Sequence, residues 1–415
     1  MSSNKKIYDV IGIGIGPFNL SLAALCAAAP ELACLFIDQH ESFNWHPGMM
    51  IAGSKLQVPF YADLVTLADP TSPFSFLSFL KAKKKMFRFA ISENYFIKRI
   101  EYNDYCQWVA GQLPSLQFGE TCLQIEKEEQ HYKVSTSKEI YHARKIVFGT
   151  GTVPFIPAPE IPNNENIFHS ADYLYNKERI KSLDTITIIG SGQSAAEIFY
   201  DLLQNYTGTL YWFTRSNRFF PMDYSKLMLE LSTPDYIDHF YSLPDTIKSS
   251  VLASQDSLYK GINHSLISDI YDLLVEKNKN IHLHANCELQ KIEDNISLTF
   301  HHRELQEYFV HATNAAILAT GYRQVVPACF DPLRSFIQLD EHGHYKANRN
   351  YSLDDTDSIF IQNGEQFTHG FNSADLSLGP YRNAVIINTI LGYERYKVER
   401  QICFQTFGLP INQRT

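Results

Sequence analysis

The chain twice places a glycine-rich turn between an apolar β-like run and a helix-like segment, at Gly12-Ile13-Gly14-Ile15-Gly16-Pro17 and at Gly190-Ser191-Gly192-Gln193-Ser194-Ala195. In such a unit a buried strand delivers the backbone to a turn where a side chain would block the approach of a pyrophosphate. The helix that follows offers free N–H groups and the positive end of its dipole. Glycine meets that requirement. Gly12, Gly14, Gly16 and Pro17 are therefore read as one dinucleotide seat, and Gly190, Gly192, Gln193 and Ser194 as a second. The third glycine position holds Pro17 in one turn and Ala195 in the other; proline suits a first-turn helix position, and alanine still permits close packing. Two such seats in one chain imply an α/β fold and redox chemistry.

In the first unit the strand is Ile7 to Ile13 and the helix runs from Pro17 through about Ala29, with small residues such as Ala23 and Ala24 for close packing on the sheet. The next strand, Ala33 to Ile37, ends in Asp38, an acidic residue placed roughly 20 to 30 positions after the first glycine, where a ribose hydroxyl is held. The second unit has its strand at Thr185 to Ile189 and its helix at about Ser194 to Leu203. Its returning strand, Thr209 to Thr214, ends in Arg215, with Arg218 close behind. A cation there suits a 2′-phosphate. The first unit is thus expected to hold FAD and the second NADPH.

A length of 415 residues suggests two or three domains, with 45% hydrophobic residues to build their cores. No apolar run is long enough to span a bilayer. Met1 to Lys6 is short and polar and leads straight into the first strand, so no signal peptide is expected. Seven cysteines, an odd number with no Cys-x-x-Cys pair, fit a reducing compartment, and the cytoplasm is the expected location. The net charge of −9 argues against a nucleic-acid partner and mildly favours cationic small molecules. No residue cluster asks for a metal.

Phe43 to Phe89 is rich in aromatic residues, proline and glycine, with too little periodicity for a regular element, and is expected to wrap the flavin. Residues 121 to 150 read as short strands ending at Gly149-Thr150-Gly151, a second close approach of backbone to the first nucleotide. Ala315 to Ala319 ends similarly in Thr320-Gly321-Tyr322. Asp256 to Lys277 reads as a helical stretch with Leu266, Ile267, Ile270, Leu273 and Leu274 on one face. A final helix covers about Tyr381 to Leu391 and ends at Gly392. The expected division is an FAD-binding domain at 1–165 and 320–360, an NADPH-binding domain at 166–220 and 278–319, and a small, mainly helical substrate region at 221–277 and 361–415.

Taken in order, several segments resemble the flavin-dependent N-hydroxylating monooxygenases of siderophore biosynthesis, which act on lysine, ornithine or aliphatic diamines. They are Gly12 to Leu20, Trp45-His46-Pro47-Gly48-Met49, Asp63-Leu64-Val65 with Asp69 to Phe76, the second glycine turn, Ala319 to Tyr322, and Thr368-His369-Gly370. The resemblance covers nearly the whole chain. It implies a three-part fold, FAD as bound cofactor, NADPH as reductant, molecular oxygen as co-substrate and a homo-oligomer, a tetramer. It also implies a flavin C4a-hydroperoxide whose distal oxygen is attacked by the substrate amine. That amine must be neutral against a solution pKa of about 10.4, so a desolvated pocket is expected, and water must be kept out.

By the same resemblance Trp45 and His46 belong to the flavin seat, where His46 either hydrogen-bonds the flavin or fixes the loop through local backbone, and Gln57 resembles its flavin-facing polar residue. Asn263, opening the helical stretch, resembles a residue that meets substrate and nicotinamide, while asparagine is equally a good helix cap. Ser377 and Leu378 resemble the loop that closes over substrate and flavin. The sequence departs from the lysine and ornithine hydroxylases at Ala62, where they carry a lysine that can meet the substrate carboxylate. An α-carboxylate buried there without a cation would cost several kcal/mol. A diamine such as cadaverine or putrescine is then the expected substrate, with Glu365, Asp375 or Asp63 as candidate partners of its distal ammonium. L-lysine, met by Lys55 or Arg382, L-ornithine and histamine remain alternatives.

Overall fold

The computed structural model describes residues 6–157, 161–277 and 280–409; apart from Lys6, the polar start of the chain lies outside them. Around the first glycine turn the chain builds a seven-stranded sheet. Strand Ile7–Ile13 pairs in parallel with Cys34–Ile37 on one side and Ile140–Phe148 on the other. Leu116–Gln117 extends the first edge, and Tyr132–Thr136 and Cys122–Lys127 fold back antiparallel at the other. Ile359–Ile361 returns from far along the chain to pair with Ile140–Phe148. Alternate residues of the central strand serve two cores: Val10 packs under the helices, and Ile11 and Ile13 face the opposite layer, as a strand covered on both faces requires.

The second unit is a parallel sheet in the order Ile281–His284, Thr209–Phe213, Thr185–Ile189, Ala315–Leu318, Ile167–His169. One face carries helix Gln193–Asn205. The other is covered by the antiparallel meander Cys287–Ile292, Ser297–His302 and Glu307–Ala312, through Phe213, Leu298 and Phe300. Two dinucleotide-type α/β units with additional helices agree with the fold class read from the sequence.

Three expectations need correction. The stretch from Phe43 to Phe89 is not irregular throughout: helix Phe76–Ala82 is capped by the Ser75 hydroxyl, and a second helix begins at Met86. In the first of them Phe76 and Phe79 belong to the packed core and meet Tyr105 edge-on, so an aromatic-rich run hid an ordinary helix face. Asp256 to Lys277 is not one helical stretch, because the chain leaves the helix after Tyr259 and re-enters it at His264. That second helix packs on Gln193–Asn205 through Ile270, Leu266 and Leu273, within the core of the NADPH unit. Likewise the last helix, Gly379–Leu391, puts Ala384, Ile386 and Ile387 into the core beneath helix Pro17–Cys26. Both helices therefore cover nucleotide-binding units, and the separate helical layer is smaller than expected. Among the described residues no helix is long and apolar enough to cross a membrane.

Candidate active site

The two turns have the shapes their glycines foretold. Gly14 has φ +85, and a Cβ there would lie 2.5 Å from the Gly149 carbonyl oxygen. Gly190 has φ +141, and a Cβ would lie 2.1 Å from the Ala319 carbonyl oxygen. At Gly12 a Cβ would strike the Phe36 ring, whereas at Gly16, Gly151 and Gly321 it would meet open space. Helices Pro17–Cys26 and Gln193–Asn205 begin at Gly16 and Gly192 with no side-chain cap and no acidic residue in the first turn. Uncapped N–H groups are what a pyrophosphate needs; those after Gly16 stand beside open space and those after Gly192 beside the Lys260 carbonyl only, so FAD and NADPH fit these seats. At the first, Asp38 accepts from the Ile15 N–H at 2.6 Å and from His40, fixing the turn from the adjacent strand end. Arg215 stands exposed just beyond strand Thr209–Phe213, with nothing polar imposed on its guanidinium among the bonds described.

The Trp-His-Pro-Gly turn packs against the crossover between the units. His46 adopts φ 48, and its ring lies between Trp45 (5.4 Å) and Tyr322 (5.8 Å), with Tyr322 edge-on to His169. His169 Nε2 meets the Gly321 carbonyl at 2.9 Å, and the Thr320 hydroxyl donates to the Phe155 carbonyl. Burial, assisted by the Arg99 charge, pushes the His46 imidazole down to about 4. It is neutral in the folded protein near pH 7 and reaches an unfolded value of 6.5. This contribution is therefore present above pH 6.5 and is lost as pH falls toward 4. Because His46 as a residue is exposed to solvent, screening leaves a loss well below about 1 kcal/mol between pH 7.5 and 5. His46→Asn, which tolerates the left-handed backbone, is expected to melt with a smaller acid dependence than the parent; equal shifts in both would remove the assignment.

Gln57, Gln193 and Asn263 come together where the two units meet. The Gln193 Oε1 accepts the Asn263 backbone N–H at 2.8 Å and lies 3.5 Å from Gln57 Nε2. Gln57 Nε2 also reaches the Gly261 carbonyl at 3.3 Å, and the Asn263 Oδ1 accepts from the Tyr224 hydroxyl at 2.9 Å. Gln193 Nε2 donates to Glu197 Oε1 at 3.0 Å, and Glu197 Oε2 is paired at 2.8 Å with Arg99, whose guanidinium lies over Trp45. The sequence marked Gln57, Gln193 and Asn263 singly; it held no local sign of Arg99 and Glu197, which lie 98 residues apart.

The remaining candidates make no hydrogen bond to this cluster among the described residues. Ser377 gives its N–H and hydroxyl to Asp375 Oδ1 in a short 3₁₀ turn, while Leu378 is buried in the first core. Ala62 is 1% exposed. Asp63 accepts from Val65, Thr66 and Phe76 backbone N–H groups and from the Thr66 hydroxyl, so it pins its own loop. Glu365 is buried against Arg382 at 2.9 Å. Asp63 and Glu365 are thus already committed, Arg382 engages Glu365 and the Ser373 carbonyl through Nη2 while its Nε and Nη1 make no hydrogen bond, and Lys55 is exposed. Sequence reasoning also passed over the polar trio behind the first turn. Asn19 Nδ2 donates to the Gly14 carbonyl at 2.8 Å, and Gln362 bridges Asn19 to Asn383. Asparagines flanked by apolar helix residues were the available signal. All seven cysteines are free.

The family model described as L-lysine 6-monooxygenase/L-ornithine 5-monooxygenase matches residues 6–324. The putrescine N-hydroxylase of Shewanella oneidensis is 46% identical over 99% of this chain and 86% of its own length. The crystal structure of an FAD-bound cadaverine monooxygenase of the desferrioxamine pathway from Erwinia amylovora superposes with a TM-score of 0.95, at 43% identity, covering 98% of this chain and 99% of that one. The ornithine N-hydroxylase of Kutzneria sp. 744, solved with reduced FAD, NADP⁺ and L-ornithine, gives a TM-score of 0.86 at 26% identity, over 93% and 99%. With two uncapped glycine turns, their bridging amides and these matches in agreement, the chain belongs to the L-lysine 6-monooxygenase/L-ornithine 5-monooxygenase family.

Proposed function

We propose that this protein N-hydroxylates one terminal amine of an aliphatic diamine, cadaverine or putrescine, using NADPH and molecular oxygen, and so supplies a hydroxylamine for a hydroxamate siderophore. The observation that carries the substrate class is Ala62: position 62 is buried and brings no cation, so an α-carboxylate there would be desolvated without compensation. The two cations that could have met a carboxylate are less suited, since Lys55 is exposed and the charge of Arg382 is balanced by the buried Glu365. Similarity to a putrescine N-hydroxylase and a cadaverine monooxygenase supports the same choice.

Bound FAD supplies the electron transfer from NADPH and the activation of oxygen; the chain's own residues place the amine and keep the site dry. The Gln57 amide takes the flavin-facing role and Asn263 the substrate-facing one, with Ser377 and Leu378 on the closing loop. Asp375 gives only Oδ1 to Ser377, leaving its other oxygen for the distal ammonium. Burial holds the Asp375 carboxyl above its ordinary range, which a bound ammonium would reverse. We place the enzyme in the cytoplasm, in keeping with its free cysteines. It works as a homo-oligomer, a reading supported by the exposed Phe87 and Ile91; a monomer mass by light scattering would remove it.

The test is hydroxylamine formed per NADPH consumed, with added FAD, for cadaverine, putrescine, histamine, L-lysine and L-ornithine. Coupled turnover is expected with a diamine and with neither amino acid, and Asp375→Asn should raise the diamine KM about tenfold with FAD content unchanged. Coupled turnover of lysine would end the diamine reading.

A further inference from the structure

We propose that Glu197 is a positioning residue: clamped by Arg99 from the FAD unit, its carboxylate orients the Gln193 amide that gathers Asn263 and Gln57, and so sets the NADPH turn in register with the flavin side. The inference rests on the reading above only in taking FAD and NADPH as the ligands.

A glutamine amide has two unlike ends. At Gln193 the oxygen faces two donors, the Asn263 N–H at 2.8 Å and the Gln57 amide nitrogen at 3.5 Å. The nitrogen faces the Glu197 carboxylate at 3.0 Å, which only accepts. Turning the amide over would set NH₂ against two donors and C=O against a carboxylate. The orientation is therefore fixed from both ends, by the Asn263 N–H and by Glu197. Its other oxygen is fixed by Arg99 at 2.8 Å, with both side chains largely buried. Arg99 in turn belongs to the FAD unit: its N–H donates to the Ser54 carbonyl, its guanidinium lies over Trp45, and its helix, Arg99–Ala110, buries Tyr102, Tyr105 and Val109 in the first core. Gln193 is the first residue of the helix after Gly190-Ser191-Gly192. Trp45, Arg99, Glu197 and Gln193 thus run from the flavin seat to the NADPH turn through contiguous contacts. A register error at such a junction would be felt by NADPH before it was felt by FAD.

The experiment measures NADP⁺ dissociation constants by calorimetry on FAD-loaded protein, with FAD content and melting temperature recorded alongside, for Gln193→Glu, Glu197→Gln and the two together. In Gln193→Glu two carboxylates face each other. In Glu197→Gln a single amide oxygen has to serve both Gln193 and Arg99 where two carboxylate oxygens did, so one of the two contacts is lost. The double variant moves the charge by one helical turn and restores the pattern, because the glutamate at 193 accepts from Asn263 and Gln57 while the glutamine at 197 donates to it. Each single variant is expected to weaken NADP⁺ about tenfold or more, with FAD retained, and the double, which keeps a carboxylate in the first helical turn, to stay weaker than the parent but bind at least about threefold tighter than Gln193→Glu. Glu197→Gln binding NADP⁺ within about twofold of the parent would overturn the proposal. So would a double variant that binds no better than the weaker single or that fails to fold. If a single variant does not fold, the double decides alone. No amine is present, so this result and the diamine result can fail independently.

Discussion

Gly14→Ala is expected to yield folded protein that cannot retain FAD. The new methyl would carry a backbone with φ +85 and sit 2.5 Å from the Gly149 carbonyl oxygen and 3.2 Å from the Thr150 Cα. Neither is the end of a flexible side chain, so the turn or the Gly149-Thr150 backbone has to move. A left-handed alanine costs about 1–2 kcal/mol, and the displacement carries the turn away from the helix N-terminus whose N–H groups face the pyrophosphate. An affinity loss on the order of 100-fold follows, since about 2.8 kcal/mol corresponds to that factor. Gly111→Ala is the control: its backbone is ordinary helical and its nearest contact is 3.5 Å. Flavin absorbance per protein after gel filtration reads both. Normal flavin content in Gly14→Ala would mean that this turn is not the FAD seat.

The second large effect is on stability. Arg382 and Glu365, with side chains 2% and 1% exposed, are paired at 2.9 Å, and the guanidinium lies over the Phe18 and Tyr351 rings and donates to the Ser373 carbonyl. Arg382→Met leaves a buried carboxylate without its counter-ion, at a cost of about 3–5 kcal/mol. Burial already pushes Glu365 up and Arg382 opposes it, so without the arginine the carboxyl rises further. Its folded value then exceeds its unfolded value, the folded state binds the extra proton, and stability increases as pH falls. The melting deficit of Arg382→Met should accordingly be smaller at pH 5 than at pH 8. Adding Glu365→Gln should recover part of it. A deficit that does not change with pH would show that lost packing, rather than the stranded charge, is responsible.

What the sequence made legible follows the range of the interactions. The strand, turn and helix of each nucleotide unit are local, and Ile7–Ile13, Pro17–Cys26 and Thr185–Ile189 lie where period and glycine placed them, with Pro17 starting its helix. The helix expected to reach Ala29 stops at Cys26, since alanine runs carry no stop signal. Helices inside the aromatic-rich stretch were missed because turn residues around them masked short faces such as Phe76, Phe79 and Leu80. Gln57 and Asn263 could be marked by resemblance, but what joins them, Gln193 Oε1, lies 136 and 70 residues away. Asp63 looked like a free carboxylate in the sequence and is instead a loop staple, because its four donors come from residues whose approach depends on the folded loop.

The crossed connectivity also fixes an order of assembly. The strands of the NADPH unit lie within one continuous stretch, Ile167 to Leu318, and can pair as soon as that stretch has left the ribosome. The flavin sheet contains Ile7–Ile13 yet lacks Ile359–Ile361 and the covering helix Gly379–Leu391 until about 350 to 380 further residues have been made. Until then the apolar face of Pro17–Cys26 waits uncovered, as an early-synthesised surface that a nascent-chain chaperone would have to shield.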